Sequence, residues 1–130
     1  MKNLLKLAKE NIKNAYVPYS HFRVSAVLKL KNGETFKGIN VENASYGLSN
    51  CAERSALFAA YSQGVRKEDI ESIVVYTDKE YFVSPCGACR QVMNELMEPE
   101  AKVYFANSKD EIKELLNKDL LPYAFSKEDL

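Results

Sequence analysis

Two hydrophobic periods alternate along the chain. Leu4, Leu5, Ala8, Ile12 and Ala15 recur at helical spacing with lysines on the other side, which predicts an amphipathic surface helix from Leu4 to about Tyr16, ended by Pro18. Phe22 to Leu30 reads as a strand, Lys31-Asn32-Gly33-Glu34 as a hairpin turn, and Thr35 to Asn40 as the returning strand. Val41 to Asn50 is polar and irregular and reads as a loop. Asn50 is placed to cap a helix that begins at Cys51 and is closed by Gly64. In that helix Ala52, Ala56, Leu57, Ala59 and Ala60 form a small-residue face that would let it lie close to a sheet. Ile70 to Tyr76 predicts a buried strand, and Asp78 to Pro85 a loop. A further helix follows from about Gly87 to Met97, with Val92, Met93 and Leu96 inward, and stops before Pro99. Ala101 to Ala106 is another strand.

Glu111 to Leu116 supports two readings. Propensity favours a helix capped by Ser108. The alternative is a fifth strand followed by a short helix at about Lys118 to Leu121. Too few residues separate it from the preceding strand for a parallel crossover, so such a strand would pair antiparallel. Pro122-Tyr123-Ala124-Phe125 is expected to end the ordered chain. No internal repeat or composition break divides the sequence, and residues 1–130 are expected to form one domain.

Length and composition narrow the class. A chain of 130 residues suits one core. No apolar run reaches membrane-span length, and Met1 to Leu7 lacks the uninterrupted apolar stretch of a signal peptide. Three cysteines, an odd number, argue against a disulfide framework and for a reducing, cytoplasmic setting. Lys plus Arg number 18 and Asp plus Glu number 18. Without a basic excess a nucleic-acid partner is not expected, and a small neutral ligand is.

All three cysteines lie in Cys51-Ala52-Glu53-Arg54 and Pro85-Cys86-Gly87-Ala88-Cys89-Arg90, each at the start of a predicted helix. Cys86 and Cys89 are spaced to bind one metal ion, and Cys51 adds a third sulfur. Three thiolates leave the fourth position of a tetrahedral zinc open, as a catalytic site requires. A closed structural zinc with His21, the single histidine, as fourth ligand is the alternative. Glu53 is either the acid–base group at the open position or the carboxylate of a capping box begun by Asn50. Three thiolates weaken zinc as an acid, so something must withdraw charge. The helix N-termini, Arg54 and Arg90 are the candidates, unless both arginines are ordinary surface residues.

Cys-x-Glu followed at a distance by Pro-Cys-x-x-Cys resembles the signature of the zinc nucleobase deaminases, with Cys in place of His. The whole chain resembles the small, homotetrameric, zinc-dependent cytidine deaminases. The likeness runs through Pro18-Tyr19-Ser20-His21-Phe22, Asn40-Val41-Glu42-Asn43, Asn50 to Arg54, Ser84 to Val92, and Leu120 to Phe125. It implies a three-layer α/β/α sandwich around a five-stranded mixed sheet, and so favours the fifth strand. It implies one zinc per subunit on Cys51, Cys86 and Cys89, with Glu53 carrying protons between water, ring N3 and the leaving amino group. The resemblance assigns Asn40 and Glu42 to the ribose, a turn pair being the alternative, and Ala52 to the substrate site. Phe22 and Phe125 are the aromatic candidates for packing the pyrimidine, or else core side chains, and the resemblance implies that Phe125, and in like manner Tyr46, reaches a neighbouring subunit's site. Contact through the 3′-hydroxyl would admit 2′-deoxycytidine, and the lack of a phosphate cradle would disfavour a 5′-phosphate. Arg54 matches a position that hydrogen-bonds the sulfurs. Ser25 departs from the family, which usually has Gly there. A tri-cysteine deaminase resembling blasticidin S deaminase, and a non-enzymatic zinc scaffold, are the competing readings.

Overall fold

The computed structural model describes all 130 residues. Helix α1 (Lys2–Asn11) runs into a single 3-10 turn, Ile12–Asn14, so the α-helix ends well before Pro18 rather than at Tyr16. Tyr16 already belongs to the extended chain and bridges to Val41. Strands β1 (Val24–Leu30) and β2 (Thr35–Ile39) form the expected hairpin. Gly33 takes φ of 95°, a left-handed conformation that suits glycine, and the Asn32 side chain accepts the Glu34 N–H. Helix α2 (Ala52–Ser62), strand β3 (Ile70–Thr77), helix α3 (Gly87–Leu96) and strands β4 (Lys102–Ala106) and β5 (Ile112–Leu116) follow.

The sheet order is β2-β1-β3-β4-β5. Only β3 and β4 run parallel, joined by the crossover through α3; the other pairs are antiparallel. Residue alternation along the strands sends side chains to two cores. Ala26, Leu28, Ile73, Val75, Val103 and Phe105 meet α2 and α3 on one face. Val27, Val74, Tyr76 and Ala106 meet Leu4, Ala8 and Ile12 of α1 on the other. This is the three-layer α/β/α arrangement around a five-stranded mixed sheet.

The helical reading of Glu111 to Leu116 fails for a local reason. Asn107, 1% exposed, accepts the N–H groups of Lys109 and Glu111 on its side-chain oxygen. Asp110 turns left-handed at φ 60°, and the chain doubles back as β5 along β4. Ser108 caps nothing; its N–H goes to the Lys79 carbonyl. The short helix expected at Lys118 to Leu121 is a 3-10 turn at Asn117–Asp119, and a further turn at Lys127–Asp129 continues the ordered chain past Phe125.

Helix α2 lies close over β2. A Cβ on Gly38 would stand 2.3 Å from the Ala52 carbonyl oxygen and 2.5 Å from the Ala56 nitrogen. Glycine in the strand and alanine in the helix are what let the two backbones approach. Ala52, Ala56, Leu57 and Ala60 are buried as the small-residue face required, whereas Ala59 points to solvent.

Candidate active site

The cysteines meet where α2 and α3 begin. Cys51 is the extended residue that precedes α2, Cys86 the one that precedes α3, and Cys89 lies in the first turn of α3. Their sulfurs all lie within 4.8 Å of one another, with Cys51 and Cys86 3.7 Å apart. A tetrahedron built on Zn–S bonds of about 2.3 Å has edges of about 3.8 Å, so the cluster has the size of a zinc site. No side chain caps either helix, which leaves first-turn N–H groups and the positive helix ends for the sulfurs.

The charges point the same way. Hydrogen bonds from Cys89, then from Arg54 and Cys86, hold the Cys51 thiol down at about 5. Cys89 is pushed up, first by its bond to Cys51 and then by burial. Three adjacent sulfurs cannot all ionise without a cation among them, and a divalent ion resolves the conflict. His21 is exposed and takes no part in the cluster, so the closed site is not formed.

Glu53 is 3% exposed. Burial pushes its carboxyl up to about 7, the charge of Cys51 adding to the effect, while its own N–H and Arg54 oppose it. It is the second residue of α2 after Cys51, not the third, and Cys51 rather than Asn50 occupies the cap position, so no capping box forms. The Asn50 amide instead donates to Ser55 Oγ.

Arg54 Nη2 lies 3.4 Å from Cys51 Sγ, and its own pKa is raised by that contact. Arg90 does not touch a sulfur. Its Nε donates to the Pro85 carbonyl at 2.8 Å, Nη1 to the Leu120 carbonyl at 2.7 Å, and Nη2 to Ser84 Oγ. The geometry therefore corrects the expectation that Arg90 withdraws charge from the metal.

Two adjoining clefts open onto the cluster and share Asn40 and Cys51. The inner one, about 200 Å³, is lined by Phe22, Ala52, Glu53, Val83, Ser84 and Cys86 among others. The outer one, about 380 Å³, is lined by Tyr19, Ser20, Glu42, Tyr46, Ser49 and Asn50. Glu42 accepts the N–H groups of Tyr19 and Ser20 at 3.1 Å and the Ser20 hydroxyl, and these bonds hold its carboxylate ionised. Asn40 accepts the Val24 N–H and donates to the Phe22 carbonyl, sewing the start of β1 to the end of β2. Both residues thus shape the cleft that they line. Phe22 stacks on Tyr81 with ring centroids 6.1 Å apart.

The sequence brought together Cys51, Cys86, Cys89, Glu53 and Arg54, and the structure joins Phe22, Asn40, Glu42, Ala52 and Tyr46 to them. Tyr46, 77% exposed and edge-on to Tyr19, lines the cleft of its own chain. Phe125 is 57% exposed and lines neither cleft; its carbonyl accepts from Gln91. Val83, Ser84, Tyr19 and Ser20 were missed as cleft residues. Tyr19, Ser20 and Ser84 stand in the stretches that carry the family resemblance, where they were given no role, and Val83 had only its nearness to Cys86 as a signal.

Comparison with known proteins agrees. Residues 1–106 match the cytidine and deoxycytidylate deaminase zinc-binding region. The cytidine deaminase of Halalkalibacterium halodurans is 52% identical over 127 residues, covering 98% of this chain and 95% of that protein. That of Sporosarcina psychrophila is 46% identical over 130 residues, covering 100% and 94%. The crystal structure of cytidine deaminase from Burkholderia pseudomallei superposes with a TM-score of 0.92 at 46% identity, covering 95% of this chain and 98% of that one. With a zinc-binding match over most of its length and relatives near half identity end to end, the chain belongs to the cytidine and deoxycytidylate deaminase family.

Proposed function

We propose that the chain, acting as one domain, hydrolyses cytidine and 2′-deoxycytidine to uridine and 2′-deoxyuridine with release of ammonia, as a step of pyrimidine salvage. The observation that carries this reading is the buried Glu53 carboxyl, with a pKa near 7, beside three sulfurs at the floor of a cleft of nucleobase size. Zinc on Cys51, Cys86 and Cys89, one ion per subunit, supplies the Lewis acidity that makes water a nucleophile near neutral pH. Glu53 moves the protons. It takes one from the attacking water and passes it to ring N3, then takes the remaining proton from the oxygen now on C4 and delivers it to the amino group as it leaves. Donors and acceptors all surround one carbon, so one carboxylate serves each step. The water oxygen becomes O4 of uridine, and nitrogen departs as ammonia.

Glu42, ionised and with lone pairs to spare beyond its three protein donors, accepts from the ribose 3′-hydroxyl. Asn40 has a second amide hydrogen to give beside the one used on Phe22. Phe22 and Ala52 pack the base. Arg54 draws charge from the sulfurs. Phe125 reaches the site of a neighbouring subunit in a homotetramer, with Tyr46 at the same boundary. The setting is cytoplasmic, with no nucleic-acid or membrane partner; no helix is long and apolar enough to cross a membrane.

The test is conversion of cytidine followed by its ultraviolet absorbance, with ammonia and the zinc-to-protein ratio measured in the same sample. Turnover with zinc near one per chain is expected. A full zinc complement with no uridine would sink the enzyme reading and leave a scaffold. For the shared site, Phe125→Ala mixed with Glu53→Gln should recover activity once subunits exchange, and no recovery would refute it.

A further inference from the structure

The C-terminal segment runs back along α3, held at three points. At the C-terminal end of α3, the buried Asn117 amide donates to the carbonyls of Met93, Met97 and Glu98. These are among the carbonyls that a helix end leaves without partners. Three residues on, the Leu120 carbonyl accepts from Arg90 in the first turn of α3. Further on, the Phe125 carbonyl accepts from Gln91 at 2.9 Å and from Asn94 at 3.5 Å. Arg90 alone among these residues also grips the other side. Its Nε and Nη2 hold Pro85 and Ser84, the two residues that lead into Cys86. One planar guanidinium therefore bridges the turn that carries a zinc ligand and the segment that carries Phe125.

We propose that Arg90 is a positioning residue that ties the C-terminal segment to the metal-bearing turn, so that the placement of Phe125 depends on it. Charge-assisted bonds to two carbonyls are strong, and Lys cannot span both with the same fork geometry. Loss of the bridge leaves the tail on its two other holds, so that it opens more often, and loosens the approach to Cys86. The kinetic consequence rests on the deaminase reading, in which Phe125 packs substrate: the loss falls on KM rather than kcat. Because Arg90 touches no sulfur, the acid limb of the pH–rate profile stays in place.

The zinc-loaded protein is compared with Arg90→Met, Arg90→Lys and Ser84→Ala. The first readout is chymotrypsin cleavage after Tyr123 and Phe125, followed by mass, since proteolysis reports local opening. Cleavage in Arg90→Met is expected to be roughly tenfold faster, the scale of one lost charge-assisted bond, with Arg90→Lys between it and wild type. Ser84→Ala alters only the metal side of the bridge, yet it too should speed tail cleavage, and it decides the matter should the Arg90 variants fail to fold. The second readout is KM, kcat and their pH dependence for cytidine. Faster tail cleavage with an unmoved acid limb supports the bridge. Wild-type cleavage in every folded variant overturns it, and so does an alkaline shift of the acid limb, which would restore Arg90 to charge tuning. Cleavage is read without substrate, so its outcome is separate from failure of the deaminase reading, which would appear as no uridine from the wild-type protein.

Discussion

A cysteine immediately precedes each of helices α2 and α3, yet equivalent positions in them carry different chemistry. Counting from Cys51 and Cys86, the third helical residue is Arg54 in α2 and Cys89 in α3. Both face the sulfur cluster. The second residue is Glu53 in α2 and Ala88 in α3, so only α2 delivers a carboxylate. Arg90 is the fourth residue of α3, about 100° further around the helix, and that rotation takes it from the metal to backbone carbonyls. A single step along a helix separates an arginine that meets a sulfur from one that braces the fold. The supports differ as well: α2 is pressed onto β2 over Gly38, while the start of α3 follows a loop and leaves Cys86 exposed.

The largest effect expected is at the residue that α3 lacks. Glu53→Gln keeps the shape and removes the proton carrier. General acid–base steps are each worth about 10²–10⁴-fold, and this residue serves several. The expected result is near-total loss of activity at full zinc occupancy. More than about a tenth of wild-type activity, far above what even one such step permits, would break the contrast between the two helix starts.

Arg54 comes next. Cys51 has its pKa lowered, first by Cys89 and then by Arg54 among others. A lowered acid pKa means that the charged form is favoured in the fold, so the thiolate that binds metal is present above about 5 without the ion, and protons compete with zinc for it as pH falls. Arg54→Ala raises the Cys51 pKa, so protons displace zinc from a higher pH downward. A full charge near the site is worth on the order of 3 kcal/mol at an effective dielectric near 20, an upper range of about two pH units. Zinc release on acidification, followed with a chromogenic chelator, should therefore start at higher pH in Arg54→Ala. The acid limb of kcat/KM should move the same way, with Arg54→Gln between. Coincident curves for all three proteins at full zinc would show that the helix N-termini suffice.

How much of this was readable beforehand follows from how local each cause is. The cysteines and Glu53 were legible because metal chemistry fixes both residue type and spacing, and the hairpin was legible because Asn32-Gly33 dictates a turn. Arg90 was misread because sequence adjacency to Cys89 says nothing of helical rotation. Ala59 was placed inward because a run of small residues does not show where the face ends. The reading of β5 as a helix failed because Asn107, four residues before Glu111, redirects the chain through bonds that propensity does not count. The β1–β2 pairing and the antiparallel sense of β5 follow from short connections, the five-stranded mixed sheet from the resemblance, and the strand order from neither. Asn40 and Glu42 were assigned to the ribose, with a turn pair as the alternative. That they also hold Phe22, Val24, Tyr19 and Ser20 depends on contacts across more than fifteen residues, which no local rule supplies.

Two glycine substitutions sharpen the difference in support. In Gly38→Ala the new Cβ meets backbone atoms that cannot rotate away, so α2 must lift from β2. Overpacking of this kind costs about 1–3 kcal/mol, and here it also shifts Cys51 and Glu53. Gly87, the first residue of α3, has nothing within 4 Å of an added Cβ and no positive φ. Gly87→Ala should be neutral or raise stability by about 0.4–1 kcal/mol. Thermal unfolding and zinc content of the two variants provide the comparison. Equal destabilisation would mean that α3 is held as tightly at its start as α2.

The smallest effect lies on the opposite layer. Ser25 shares a strand face with Val27, which packs under α1 and away from the metal. The residue is 0% exposed, and its hydroxyl has no hydrogen-bond partner. A buried polar group without a partner costs about 1–3 kcal/mol, part of which a rotating hydroxyl recovers. Ser25→Ala removes the oxygen and keeps the Cβ, so it should stabilise the fold by roughly 1 kcal/mol. Ser25→Gly also removes the hydroxyl but frees the backbone in the middle of a strand, at a cost of about 0.5–1 kcal/mol relative to Ala. The expected order of denaturation midpoints is Ala highest, with Gly close to Ser. Activity should be the same in all three, because β1 separates this position from the clefts. A midpoint for Ser25→Ala below wild type would show that the hydroxyl has found a partner, such as a buried water. A change in kcat/KM would show that the α1 layer is not independent of the site.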